Sequence, residues 1–222
     1  MLYIVATPIG NMEDITLRAI RTLKEADFVV SEDTRHSGIL LKKYEINTPQ
    51  LSFHSHSDEH QIVKLLGLLS EGKNLALISD AGTPGISDPG YLIIKKAIER
   101  NVQVVSIPGP SAVINAVVAS GLPCHRFLYL GYFPLKKGRK KLIESLKEMP
   151  YTVVFYEAPH RILKTLNEIY AALGDREVAV CREMTKMFEE NFRAKLSEAI
   201  AHFENKKPRG EFTVVLGAIM ES

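Results

Sequence analysis

The sequence has no tryptophan and only two cysteines, Cys124 and Cys181, with no Cys-x-x-Cys or Cys/His zinc spacing around them. Two cysteines cannot build a disulfide framework, so the chain is expected to fold on its own core in a reducing cytoplasm. A long apolar run is also missing. Leu2–Ala6 stops at Thr7-Pro8, well short of the roughly 18 residues a membrane span needs, and no basic leader precedes it. Neither export nor membrane insertion is expected. Charge of one sign is lacking too: 28 Lys and Arg against 26 Asp and Glu leave +2. That excludes a general coat for nucleic acid, although a small total can hide a local patch. What is present suits a folded chain, since 222 residues that are 45% hydrophobic allow one large domain or two compact halves.

Short apolar, β-rich runs alternate with segments of helical period, the pattern of α/β layering. In a first half, strands are predicted at Leu2–Ala6, Asp27–Ser31, Asn74–Ser79 and Val102–Ile107, with helices at Thr16–Ala26, His60–Leu69 and Tyr91–Arg100. Leu2–Ala6 and Leu75–Ser79 are apolar on both alternations, as parallel strands covered on both faces should be. The second half repeats the theme. Its strands are predicted near Phe127–Gly131, Thr152–Tyr156, Glu177–Cys181 and Phe212–Gly217, and its helices near Ser111–Ser120, Arg139–Glu148, Arg161–Leu173 and Ser197–Glu204. Gly121-Leu122-Pro123 is the candidate hinge region, and the two α/β domains are placed at 1–112 and 113–222.

Glycine and proline cluster immediately after predicted strands: Thr7-Pro8-Ile9-Gly10, the stretch Asp80 to Gly90, Pro108-Gly109-Pro110-Ser111 and Glu157-Ala158-Pro159-His160. All four loops are expected at the carboxyl edge of a sheet, where open α/β folds bind ligands because loops there meet helix N-termini. Glycine lets a ligand approach the backbone and proline stiffens the loop. The loop from Asp80 to Gly90 is also longer than an ordinary connection of about 2–6 residues. Two familiar nucleotide signals fail. Gly67 to Lys73 has the P-loop spacing, but Asn74 follows where Ser or Thr should stand, and the segment ends a predicted helix instead of opening one. No G-x-G-x-x-G occurs, so a Rossmann dinucleotide site has no support.

Taken together, the strings from Leu2 to Asn11, Asp14 to Ala19, Ser31-Glu32-Asp33-Thr34-Arg35, Asp80 to Gly90 and Pro108 to Ala112 resemble the tetrapyrrole methylase superfamily, and within it the branch that methylates ribosomal RNA. The resemblance continues through Tyr156 to Arg161, Cys181-Arg182-Glu183 and Pro208 to Glu211. It implies a class III methyltransferase fold of two α/β domains with the cofactor, S-adenosylmethionine, in the cleft between them. It also implies 2′-O-methylation of a cytidine in small-subunit rRNA, usually by a homodimer. On this reading the first domain is the acceptor side and the second completes the cofactor cleft.

The resemblance implies cofactor contact for particular loops, and the residue chemistry suggests tasks. Asp80 can accept from a cofactor donor, Gly82 and Thr83 admit the main chain, and Pro8 and Ile9 wall the pocket. Ser111 and Ala112 open a helix whose N–H groups favour an acceptor. From the second half, Tyr156 can cover the adenine, or serve as an ordinary core aromatic, while Arg182, Glu183 and Gly210 stand at strand ends. A ribose hydroxyl is a poor nucleophile, so a general base is expected among Glu32, Asp33 and Asp88. Arg35 can hold an RNA phosphate or pair with Asp33.

Two further clusters have competing readings. His54, His56, Asp58 and His60 almost match the H-x-H-x-D-H string of metallohydrolases, but Glu59 adds one residue and no further ligands are evident. No metal is therefore expected; His54 and His56 would instead face the acceptor. Lys136, Lys137, Arg139, Lys140 and Lys141 form the densest charge run. Cations oppose the dipole of a helix N-terminus, so the run suits RNA phosphate, with Tyr132 and Phe133 offering stacking surfaces; a solvated helix start is the plainer reading. A tetrapyrrole methylase, a metal-dependent hydrolase and a non-enzymatic RNA-binding factor remain the alternatives.

Overall fold

The computed structural model describes residues 1–53, 59–87, 90–206 and 208–219. Contacts divide the chain into two compact units, Met1–Ser111 and Ala112–Ser222. The first unit runs β1 (Leu2–Val5), α1 (Leu17–Glu25), β2 (Phe28–Ser31), α2 (Thr34–Lys43), β3 (Gln50–Ser52), α3 (Glu59–Ser70), β4 (Leu75–Ile78), α4 (Tyr91–Glu99) and β5 (Val104–Ile107). Its strands form one parallel sheet in the order β3-β2-β4-β1-β5.

Both alternations of β1 and β4 are buried, as their composition predicts. Leu2, Ile4, Leu75 and Leu77 meet Leu65 and Leu66 of α3 and Ile93 of α4 on one face. Val5, Ala76 and Ile78 meet Ala19 and Leu23 of α1 and Leu40 and Leu41 of α2 on the other. The split follows from connectivity. The chain moves one way across the sheet from β1 through β2 to β3 and the opposite way through β4 to β5. Crossovers of constant hand must change face when the direction reverses.

The second unit runs α5 (Ala112–Ser120), β6 (Phe127–Tyr132), α6 (Arg139–Ser145), β7 (Thr152–Glu157), α7 (Ile162–Leu173), β8 (Glu177–Arg182), β9 (Glu190–Lys195), α8 (Leu196–Glu204) and β10 (Phe212–Leu216). Its sheet has the order β6-β7-β10-β8-β9 and does not repeat the first. Only β6 and β7 are parallel; β10 runs antiparallel to β7 and β8, and β9 antiparallel to β8. A loop without a helix joins β8 to β9, which requires antiparallel pairing. The core gathers Phe133, Phe155, Leu166, Val180, Leu196, Phe203 and Val214.

Candidate functional site

In the first unit the loops after β1, β2, β4 and β5 open at one carboxyl edge. The loop after β4 leads to α4 on one face, while its neighbours β1 and β2 lead to α1 and α2 on the other. Diverging connections leave a crevice, the usual ligand position of a doubly wound sheet. The two loops flanking it are laced together: Thr7 N–H donates to Gly82 O at 2.9 Å, Gly82 N–H returns to Thr7 O at 3.0 Å, and Thr7 Oγ1 donates to Ser79 O at 3.0 Å. Gly82, at φ +78, meets this bridge with a conformation that side chains resist. Gly109, after β5, approaches the Ala6 side chain so closely that a Cβ would stand 2.9 Å from it.

Asp80 is exposed at the rim of this crevice, with Thr83 half-buried in the same loop. Pro8 and Ile9 are buried in the loop after β1. Ser111 and Ala112, half-buried, lead into α5. Asp88 lies outside the described residues, as do His54, His56 and Asp58 of the histidine string. His60 is exposed on α3. Among the described residues, no cluster of His, Cys, Asp and Glu could hold a metal ion.

Between β2 and α2 the acidic pair divides. Asp33 is the N-cap of α2: its Oδ1 accepts from the Arg35 N–H at 2.8 Å and the His36 N–H at 3.4 Å, and Oδ2 pairs with Arg35 Nη2 at 3.2 Å. The Arg35 side chain first and the backbone N–H groups second pull the Asp33 carboxyl down to about 2. A carboxylate so held is a weak base; Arg35 spends Nε and Nη2 on it, while its side chain stays 91% exposed. Glu32 is half-buried and forms no such pairs.

In the second unit the ends of β6, β7 and β8 and the starts of β9 and β10 meet at one edge, since Phe212 pairs with both Glu157 and Arg182 and Arg182 with Glu190. The loop 157–160 therefore belongs to this sheet and not to the edge of the first. Tyr156 stands within an aromatic group, 5.5 Å from the Tyr129 ring and 5.4 Å from Tyr132. Burial pushes its phenol well above the ordinary value, with Tyr129 adding to the effect.

Glu183 takes a left-handed backbone at φ 50. Its Oε1 accepts from Lys186 Nζ at 3.0 Å and from the Glu211 N–H at 3.0 Å. Burial opposes its charge, but these donors outweigh burial and hold the carboxyl below its ordinary value. Gly210, at φ +87, is required here, because a Cβ would lie 2.5 Å from Glu183 Cγ and Cδ. Arg182 is largely spent within the protein: Nε meets Glu190 Oε2 at 3.1 Å, and Nη1 and Nη2 reach Arg209 O and Phe188 O at 3.3 and 3.4 Å. It organises the loops more than it offers a free donor.

The basic run also divides. Lys136, Lys137, Lys140 and Lys141 are exposed, but Arg139 is 8% exposed. Its guanidinium donates to Glu168 Oε2 at 2.6 Å, Pro134 O at 2.7 Å and Thr165 Oγ1 at 2.8 Å. Thr165 in turn donates to the buried Glu157, which also pairs with Arg161. Arg139 therefore anchors α6 and leaves the candidate RNA set, because a buried, fully paired guanidinium cannot meet a phosphate. Phe133 is 1% exposed beneath it and offers no stacking face, whereas Tyr132 does. Composition gave no role to Glu157, Glu190, Lys186 or Tyr129; the one available signal was that Glu157 directly ends an apolar strand.

The family model for tetrapyrrole (corrin/porphyrin) methylases matches residues 1–200. A Thermotoga maritima protein named ribosomal RNA small subunit methyltransferase I is 51% identical over 215 residues, covering 97% of each chain. A Synechocystis protein of the same name is 46% identical over 218 residues, 97% of this chain and 78% of its own. Among solved structures, cobalt precorrin-4 methyltransferase superposes with TM-score 0.72 at 19% identity, over 97% of this chain and 94% of that one. Diphthine synthase reaches 0.76 at 14% identity, over 97% and 89%. Such low identities speak to the fold, that of the class III methyltransferases. Members of the family draw the methyl group from S-adenosylmethionine. With a family model spanning most of its length and a relative identical at half its positions, the chain belongs to the tetrapyrrole methylase family.

Proposed function

We propose that this chain is an S-adenosylmethionine-dependent methyltransferase that acts on the ribose 2′-oxygen of a cytidine in small-subunit rRNA, working as a homodimer. The first unit is the acceptor side. The supporting observation is the crevice beside β4, where the Asp80 loop stands between the loop after β1 and the loop that carries Glu32. The rRNA substrate is supported by the relatives' shared name.

The residues present fit the cofactor's chemistry. The exposed Asp80 carboxylate suits a ribose diol. The start of α5, where the positive end of the helix dipole lies, suits a carboxylate beside Ser111 and Ala112. The rings of Tyr129, Tyr132 and Tyr156 suit a flat base, with Gly82, Thr83, Glu183 and Gly210 shaping the approach of the main chain. When bound, S-adenosylmethionine supplies an activated methyl carbon on a cationic sulfonium. Much of the acceleration in such a displacement comes from aligning the acceptor oxygen. Glu32 takes the proton from the ribose hydroxyl, with Asp88 as a second candidate base. Arg35, whose side chain is 91% exposed, holds an RNA phosphate beside it, and the exposed Lys136, Lys137, Lys140 and Lys141 hold other backbone phosphates.

The test is a split between turnover and binding. Glu32→Gln should lower turnover on unmethylated small subunits by about 100-fold or more, the scale of general-base catalysis, while the cofactor Kd stays within about twofold. Normal turnover in this variant would remove Glu32 from the reaction.

A further inference from the structure

The first unit carries a charged face of which the rRNA reading has used only Arg35. Helices α1 and α2 lie on the same side of the first sheet, both packed on Val5, Val29 and Ala76. They also touch through their loops, with the Tyr44 hydroxyl donating to Met12 O at 2.5 Å and Thr48 Oγ1 to Leu23 O at 2.7 Å. Their buried stripes, Ala19-Thr22-Leu23 and Ser37-Leu40-Leu41, leave Arg18, Arg21 and Lys24 exposed on α1 and Arg35, Lys42 and Lys43 exposed on α2. α2 contains no acidic residue along its length. The acids nearby, Glu13, Asp14, Glu25, Asp27, Glu32 and Glu45, sit at or beyond the ends of these elements, with Asp27 paired to Lys73, and Asp33 engages Arg35.

Helix stability accounts for only part of this arrangement: Lys24, Lys42 and Lys43 stand in the last turns, where the dipole favours a cation, but the arginines at the other ends do not fit it. Each helix carries an arginine at its second position, Arg18 and Arg35, and no acid in its first turn. That is where the positive end of the dipole makes a cation unfavourable. Because each helix follows a parallel strand, both N-termini stand at the carboxyl edge of the sheet, the edge that holds Glu32 and Asp80. The cations therefore begin at the candidate reaction edge and continue outward along two adjacent helices, the distribution expected for a polyanion track.

We propose that the outer face of α1 and α2, from Arg18 and Arg35 to Lys42 and Lys43, binds RNA backbone and delivers the acceptor nucleotide to the carboxyl edge of the first sheet. It uses none of the lysines at 136–141, which belong to the second unit. It rests on the rRNA reading, which the experiment tests separately.

The experiment compares the wild-type chain with a combined Arg21→Gln, Lys42→Gln, Lys43→Gln variant, on naked small-subunit rRNA and on assembled subunits over a range of salt. Every cation–phosphate pair removed should reduce the slope of log Kd against log salt by about 0.7–0.9, so the three substitutions should lower it by about 2 to 3 on naked rRNA. Affinity for S-adenosylmethionine and Tm should not change, and Arg21→Lys, Lys42→Arg, Lys43→Arg should keep the wild-type slope. An unchanged slope in the glutamine variant, with the wild type binding rRNA, overturns this proposal and leaves the rRNA reading intact. A loss seen on assembled subunits but not on naked rRNA overturns it in favour of a protein contact. If the wild type neither binds nor methylates rRNA, the reading itself fails, and the proposal with it.

Discussion

Glu32 and Asp33 are adjacent carboxylates that the local backbone separates into different tasks. Asp33 precedes α2 with extended geometry and spends its oxygens on two N–H groups and Arg35, whereas Glu32 makes no such pairs. The pH dependence of stability should show the difference. Folding lowers the Asp33 carboxyl from 3.8 to about 2, so the folded state binds its proton more weakly than the unfolded one. Its contribution is full above about pH 4 and disappears as the pH falls toward 2. Asp33→Asn retains a good cap but not the charge. Urea unfolding should therefore show the variant less stable than wild type near neutral pH, with the gap narrowing below pH 4; a pH-independent gap would contradict the pairing. Gly210 makes a second residue-level case. Gly210→Ala imposes a Cβ on Glu183 at φ +87, which should cost about 1–3 kcal/mol of stability and weaken cofactor binding by displacing Glu183. Unchanged cofactor affinity would detach that loop from the site.

At the scale of elements, α6 is held by a charge inside the protein and not by those outside it. Arg139→Ala would strip Glu157, Thr165 and Glu168 of their shared donor and should destabilise the chain by about 3 kcal/mol or more, as broken buried ion pairs do. Lys140→Ala with Lys141→Ala should change stability by less than about 0.5 kcal/mol and instead weaken RNA binding. Denaturant melts paired with RNA titrations distinguish the two sets. The sequence did not reveal this difference, because Arg139 reads as one more cation until Glu157 and Glu168 arrive from β7 and α7. Elements were legible where burial is two-sided, as in β1 and β4, whose apolar residues fill both alternations. They were illegible where burial is partial. β9, Glu190–Lys195, is an edge strand with polar residues on its open side, and edge strands commonly carry such charge. α2 hides its narrow stripe of Ser37, Leu40 and Leu41 within a basic segment. The candidate site was legible in its loops, since Gly and Pro mark the strand ends, but the second unit's edge depends on antiparallel pairing that strand composition does not encode.

For the whole molecule, a formal charge of +2 averages over regions that differ sharply. Acidic residues gather near the crevice beside β4, and cations cover the outer face of α1 and α2 and the exposed start of α6. Among the described residues, no helix is long and apolar enough to cross a membrane. The two sheets differ in kind, one parallel and one mixed, and the proposed acceptor site with its base belongs to the parallel one. The central claim concerns one bond, from a methyl carbon to a ribose oxygen. Its most direct test is to incubate the chain with labelled S-adenosylmethionine and small subunits that lack the modification, digest the rRNA to nucleosides, and identify the labelled product. The expected product is 2′-O-methylcytidine; label on a base, on another nucleoside, or in a tetrapyrrole acceptor but not in rRNA would contradict 2′-O-methylation of a cytidine.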